Sequence, residues 1–239
     1  MTNTLETTRD WRAYYQTVGE ADERDLLQQV GRTIGGRPVG AEEIGLVAEE
    51  AIDALALCRT DVLLDLCCGN GLVTRRLAAA CERVYAIDLS EGMLAGACRY
   101  NGLPNIRYIQ APATELASKD FAESPPNKAC MIQALQHFRT SELPQLLGAI
   151  RAVAGRPVPV YFADIPDVDR LYAFYNTPER RAEFSRRRAD GTEAIGTWWN
   201  RAHLAEVLSQ VGYLAEFIEQ SSARFGAHYR FDLLAVPAG

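Results

Sequence analysis

The sequence predicts an α/β protein built on a doubly wound, mostly parallel sheet. Three observations carry this. Short apolar runs alternate along the chain with stretches whose apolar residues recur at helical spacing. The first run, Val62-Leu63-Leu64-Asp65-Leu66, ends in a glycine-rich turn that opens a helix. Two strand patterns then stand close together near the end of the chain, as an antiparallel edge hairpin would.

The elements follow in order. From Ala41 to Cys58 a stripe of Ile44, Val47, Ala48, Ala51, Leu55 and Leu57 predicts a helix. Strand 62–66 leads to a helix over Gly71–Cys81, and Arg83–Asp88 reads as the second strand. Ser90 is placed to cap the next helix, its hydroxyl accepting an orphan amide. Asn105–Gln110 and Lys128–Gln133 give strands three and four. A helix over Ser141–Val153 leads to a fifth strand, Val158–Asp164. An arginine-rich stretch precedes a helix at Arg201–Val211, and Tyr213–Glu219 and His228–Val236 form the closing pair. Residues 1–40 read as a separate lid, residues 41–239 as one domain, and residues 166–200 as a substrate-facing insertion.

The 239 residues, 48% of them hydrophobic and 23% charged, fit one globular domain with an appendage. A net charge of −6 argues against nucleic acid as main partner. No apolar run is long enough for a membrane span, and the N-terminus lacks the apolar core of a secretion signal. Six cysteines without a Cys-x-x-Cys pair suggest reduced thiols and a cytoplasmic address, with no structural metal.

The most informative segment is Asp65-Leu-Cys67-Cys68-Gly69-Asn70-Gly71, a strand end whose small residues let helix amides approach a ligand. Nineteen residues past Gly69, Asp88 ends the next strand, where a carboxylate takes ribose hydroxyls. A nucleoside cofactor is implied, and charge selects it. Asp65 beside the loop repels a pyrophosphate but suits the ammonium and sulfonium of S-adenosyl-L-methionine. Thr74 stands where a dinucleotide loop carries its third glycine.

Asp65-x-Cys-x-Gly69-x-Gly71, Asp88 with Ser90-Glu-Gly-Met93-Leu, and Gln110-Ala-Pro-Ala113 resemble the successive motifs of class I S-adenosylmethionine-dependent methyltransferases, over about residues 60–165. The resemblance implies a seven-stranded Rossmann-like sheet with an antiparallel last strand, and methyl transfer as the activity. It places Gly69 and Gly71 at the methionine portion, Asp88 at the ribose, Leu89 and Met93 at the adenosine, and Ala113 beside adenine. Two positions depart from the pattern. Cys67 replaces a glycine, acceptable where no positive φ is required. Pro112 replaces an acid that meets the adenine amino group. Tyr14, Tyr15 and Arg32 are expected to close over the cofactor, with a helix packed on the sheet without a ligand role as the alternative, and Gln133, at the fourth strand's end, to border it.

Catalytic candidates sit after strands four and five, beyond the strands' carboxyl ends. His137 is the first, as a base for a hydroxyl acceptor; a helix-capping histidine is the alternative. His228 is a second. Asp164 could hydrogen-bond an acceptor, or join Asp167 and Asp169 either around a metal or as solvated loop acids. Tyr172, Tyr175, Trp198 and Arg230, with the arginines at 180–188, are substrate candidates for an anionic or sugar-type acceptor; a solvated helix face and a buried tryptophan pair are the alternatives. The chain lacks the Asn/Asp-Pro-Pro-aromatic signature of base amino-methylation at Ala134–Phe138, which with the acidic balance argues against methylating a nucleic-acid base; the expected acceptor is a small molecule, at oxygen rather than nitrogen. Another reaction of the same cofactor, or a silent cofactor binder, stays open, as does the oligomeric state.

Overall fold

The computed structural model describes residues 3–34 and 37–239. Its main sheet has seven strands: β1 (Val62–Leu66), β2 (Arg83–Asp88), β3 (Ile106–Gln110), β4 (Lys128–Ile132), β5 (Val160–Pro166), β6 (Tyr213–Ile218) and β7 (Arg230–Pro237). Their order is β3-β2-β1-β4-β5-β7-β6. The first five are parallel, with Asp65 paired to Ala86 on one side and Cys130 on the other. β7 runs antiparallel between β5 and β6. The chain reverses direction across the sheet between β1 and β4, which opens a crevice at their carboxyl ends.

β1 and β5 are buried along their whole lengths, which is why they read as continuous apolar runs rather than alternating ones. Helices cover both faces. On one, α4 (Leu143–Ala154) and α5 (Arg201–Gln210) bring Leu146, Ile150, Leu204 and Leu208 into a core with Leu64, Leu66, Phe162 and Phe231. On the other, α2 (Ala41–Ala54) packs Ala48 and Ala51 with Leu63, Val84 and Tyr161. Ser90 caps α3 (Glu91–Tyr100), accepting from Met93 N at 3.2 Å.

The helix expected over 71–81 is regular only at Thr74–Leu77. Tight i−3 bonds from Arg76 N to Val73 O and Ala79 N to Arg76 O are interleaved with the α-helical ones there. No helix among the described residues is long and apolar enough to cross a membrane.

The N-terminal segment lies across the sheet's carboxyl edge. Within it, α1 (Trp11–Gln16) is capped by Asp10, which accepts from Ala13 N at 2.9 Å. Leu5 pairs with Trp198 through two backbone bonds, and Asn70 of the glycine loop donates to Leu26 O and Gln29 Oε1, both at 2.8 Å. A Cβ on Gly92 would come 2.3 Å from Val18 O, so the absence of a side chain lets the segment pass over α3.

Candidate active site

The crevice begins where β1 ends. Cys67 and Gly69 both take left-handed φ values, 55° and 57°. The sequence reading accepted Cys67 only for an ordinary φ, so this residue corrects it: the cysteine holds a conformation costing a side-chain-bearing residue ~1–2 kcal/mol. Gln133 (φ 56°) and Asp164 (φ 62°) do the same at β4 and β5, which concentrates backbone strain along the crevice. Gly71 also departs from its expected role. It does not line the cavity, and a Cβ there would lie 2.4 Å from the Tyr108 hydroxyl, so its work is close packing.

Two buried carboxylates face this loop. Asp88 accepts from Gly69 N (2.8 Å) and Ser90 N (2.9 Å); burial raises its pKa while these bonds oppose the rise. Asp65 accepts from the Thr74 hydroxyl (2.6 Å) and the Cys130 thiol (3.5 Å). Burial pushes it up to about 6, against those hydrogen bonds and with a further push from Asp88. Among the described residues neither acid has an ion pair. Buried acids without a cation form a site for a positively charged ligand. A sulfonium nucleoside with an ammonium group fits it, and a pyrophosphate does not.

The cavity measures about 410 Å³. Asp65, Cys67, Gly69, Asp88, Leu89 and Met93 line one end, with Pro112, Ala113 and Gln133 beside them. The N-terminal segment roofs the other. Tyr15 lines it, its hydroxyl 3.0 Å from His137 Nε2, whereas Tyr14 turns outward. Trp11 packs on His137 with ring centroids 4.2 Å apart and donates Nε1–H to Thr7 Oγ1 at 2.9 Å. Burial, helped by Arg230 and Arg9, pushes the His137 pKa down to about 3. The imidazole is therefore neutral and weakly basic, which removes the near-neutral titration that recommended it from sequence. Arg32 lines the cavity too, and pairs with Asp164 at 3.0 Å.

The other candidates lie elsewhere. Asp164 is committed to a buried ion cluster: besides Arg32 it pairs with Arg224 (2.6 Å), and Gln220 donates to it at 3.0 Å. Burial alone would raise its pKa, but Arg32, Arg224 and Arg230 hold it well below the usual range. It occupies the bulge between Phe162 and Ile165, its N–H donating to Asp232. Arg230 is buried in the same cluster, donating to Gln136 Oε1 at 2.6 Å and to the Asp164 carbonyl. His228 is exposed on a turn beside Phe225 O and does not line the cavity.

Trp198 is fully buried in a separate cluster with Leu171, Phe184 and Tyr229, and Tyr175 donates to Glu193 there at 2.6 Å. Tyr172 is 58% exposed. No residue of 166–200 lines the cavity, so this stretch supports the roof from outside. Asp167 is engaged with Arg201 and Arg170, and no group of three ligating side chains among the described residues could hold a metal. Arg9, Trp11, Phe138 and Arg139 line the cavity without having been singled out as site residues. One signal was present: Trp11 and Tyr15 stand four apart, on one helix face.

Residues 63–155 match the family model described as a methyltransferase domain. Over 58 residues the chain is 34% identical to a probable cobalt-precorrin-6B C(15)-methyltransferase (decarboxylating) of Methanococcus vannielii, covering 24% of this chain and 31% of that protein. Its Methanocaldococcus jannaschii counterpart is 33% identical over 88 residues, 35% of this chain and 46% of the other. These matches thus span less than half of either curated relative.

Among solved structures, the magnesium protoporphyrin IX methyltransferase of Synechocystis PCC 6803 with bound SAH aligns with a TM-score of 0.60 at 18% identity, over 96% of this chain and 93% of that one. A DhpI–SAH complex aligns with a TM-score of 0.62 at 16% identity, over 95% of each chain. Sheet order, crevice and matched segment agree: the chain has the class I S-adenosylmethionine-dependent methyltransferase fold, and its residues 63–155 match the methyltransferase-domain model.

Proposed function

We propose that this protein transfers the methyl group of S-adenosylmethionine to an oxygen of a small molecule held beneath the N-terminal cap, residues 1–40. The observation that carries the reading is the pair of buried acids, Asp65 and Asp88, unpaired with any described cation at one end of a cavity whose other end is walled by Trp11, Tyr15 and His137. When bound, the cofactor supplies an electrophilic methyl on a positively charged sulfur.

The chain's own residues bind and orient. Asp88 keeps acceptor capacity for ribose hydroxyls beyond its two backbone bonds. Asp65 supplies negative charge for the ammonium, and Leu89, Met93 and Ala113 an apolar bed for the adenosine. The roof excludes water, and Tyr15 fixes the His137 ring that borders the acceptor. Direct displacement demands little beyond alignment of acceptor and methyl, and such positioning is worth roughly 7–11 kcal/mol at best. Oxygen is favoured because Arg9 and Arg139 line the acceptor end and suit an acceptor that carries anionic oxygens.

The test is label transfer from methyl-labelled S-adenosylmethionine across an acceptor panel, with SAH release measured in parallel. Labelled product with stoichiometric SAH is expected. Tight binding without turnover on any acceptor would leave a cofactor-binding protein instead.

A further inference from the structure

The acceptor end of the cavity combines rings with arginines that stand outside any ion pair of the described residues. Tyr15 stacks on Trp11 at 5.9 Å and meets His137 edge-on at 5.1 Å, and Phe138 continues the wall. Arg9 and Arg139 line the same end. The Arg9 guanidinium lies 4.8 Å from the Trp11 ring centroid and 4.2 Å from that of Tyr14, at the mouth of the slot. Arg12 beside them is paired with Glu115 at 3.1 Å, but among the described residues Arg9 and Arg139 have no ion pair. The carboxylates of that wall, Asp10 and Glu142, accept backbone N–H bonds from Ala13 and Arg139 and pair with neither arginine. Two arginines outside any ion pair of the described residues, beside a flat apolar slot, can hold a planar anion.

Resting on the methyltransferase reading above, we propose that the acceptor is a flat aromatic carboxylic acid, methylated on its carboxylate, with its ring body against Trp11 and Phe138 and its charge placed by Arg9 and Arg139. The chemistry of the wall supports this. His137, held neutral with Nε2 on Tyr15 and Nδ1 buried without a partner, is too weak a base to strip an ordinary hydroxyl. A carboxylate needs no base. One of its oxygen lone pairs forms the new carbon–oxygen bond while the methyl–sulfur bond breaks and its electron pair stays on sulfur. Carboxylate and sulfonium charges cancel, the products are a neutral ester and a thioether, and no proton moves. Cancelling opposite charges is favoured where water is excluded.

The experiment titrates the full chain, saturated with SAH, with aromatic carboxylic acids of increasing ring count, each beside its carboxamide. At least one acid should bind about tenfold tighter than its amide, and Arg9→Gln, in a variant matching the parent's Tm, should erase most of that preference while Arg9→Lys restores part. With methyl-labelled S-adenosylmethionine, the product of the preferred acid should release its label as volatile methanol in mild alkali, as esters do and methyl ethers do not. No acid preferred over its amide, a preference untouched by Arg9→Gln, or an alkali-stable product overturns the proposal while cofactor binding and methyl transfer stand. Failure of SAH to bind removes the reading beneath it instead.

Discussion

Two pairs of aspartates sit at the carboxyl edge of the same sheet and differ in what faces them. Asp65 and Asp88, at β1 and β2, are buried with no ion pair among the described residues, and burial raises both pKa values. Asp164, at β5, is equally buried but pairs with Arg32 and Arg224, which with Arg230 hold it ionised. The pKa of Asp232 on β7, 3.9 Å from Arg224, is pushed up by burial and by Asp164. Residue type, depth and sheet edge are shared; the partner is not. A carboxylate whose counter-ion comes from the chain is structural, and one that lacks it awaits a cation from outside. Strand-tip position alone, which put Asp164 among the catalytic candidates, does not separate the two.

The largest expected effect strikes the internally paired set. Arg224 is buried and touches Glu43, Glu50 and Asp164. Arg224→Met should cost ~3–5 kcal/mol by stranding these acids, read by denaturant unfolding; an unchanged midpoint would erase the contrast. Next comes cofactor affinity. Asp88→Ala should weaken SAH binding by ~1–3 kcal/mol in calorimetry, whereas a variant that binds normally removes the ribose assignment.

Asp65→Asn probes the unpaired set with the opposite sign. The folded pKa of about 6 lies above the unfolded carboxylate value, so the native state binds more protons, and stability is lost as pH rises through about 6. Deleting the charge should therefore raise stability by ~1–2 kcal/mol above that pH while weakening S-adenosylmethionine binding. Asp164 works the other way: its lowered pKa contributes stability that is lost as pH falls through the acid range.

The loop half was legible in the sequence because it is local. Asp65, Gly69, Asp88, Leu89 and Met93 lie within thirty residues, on strands whose apolar runs and caps are plain, and all line the cavity. The acceptor half is assembled across long separations: Tyr15 meets His137, Thr7 accepts near Trp11 and donates to Thr197, and Glu6 accepts from Arg188. No periodicity reports such contacts. Trp198 and Tyr175 looked like pocket walls because aromatic residues near arginines read alike in a core and in a site, and only packing showed them to be core. Arg230 was placed at the substrate for its charge, yet that charge is spent on Gln136 and the Asp164 carbonyl.

The smallest effect tests the strain that accompanies the unpaired acids. At φ 55°, Cys67→Gly should be more stable than Cys67→Ala by ~1 kcal/mol, because only glycine relaxes there. An alanine variant of equal or greater stability would deny the strain.

The most direct measurement is calorimetric titration of the full chain with S-adenosylmethionine and with NAD, on either side of the Asp65 midpoint of about 6. S-adenosylmethionine should bind one to one, tighter on the alkaline side where Asp65 is ionised, and NAD should give no heat. Binding of NAD in its place, or S-adenosylmethionine affinity that rises on the acid side, would contradict the assignment of the unpaired acids as a cation site.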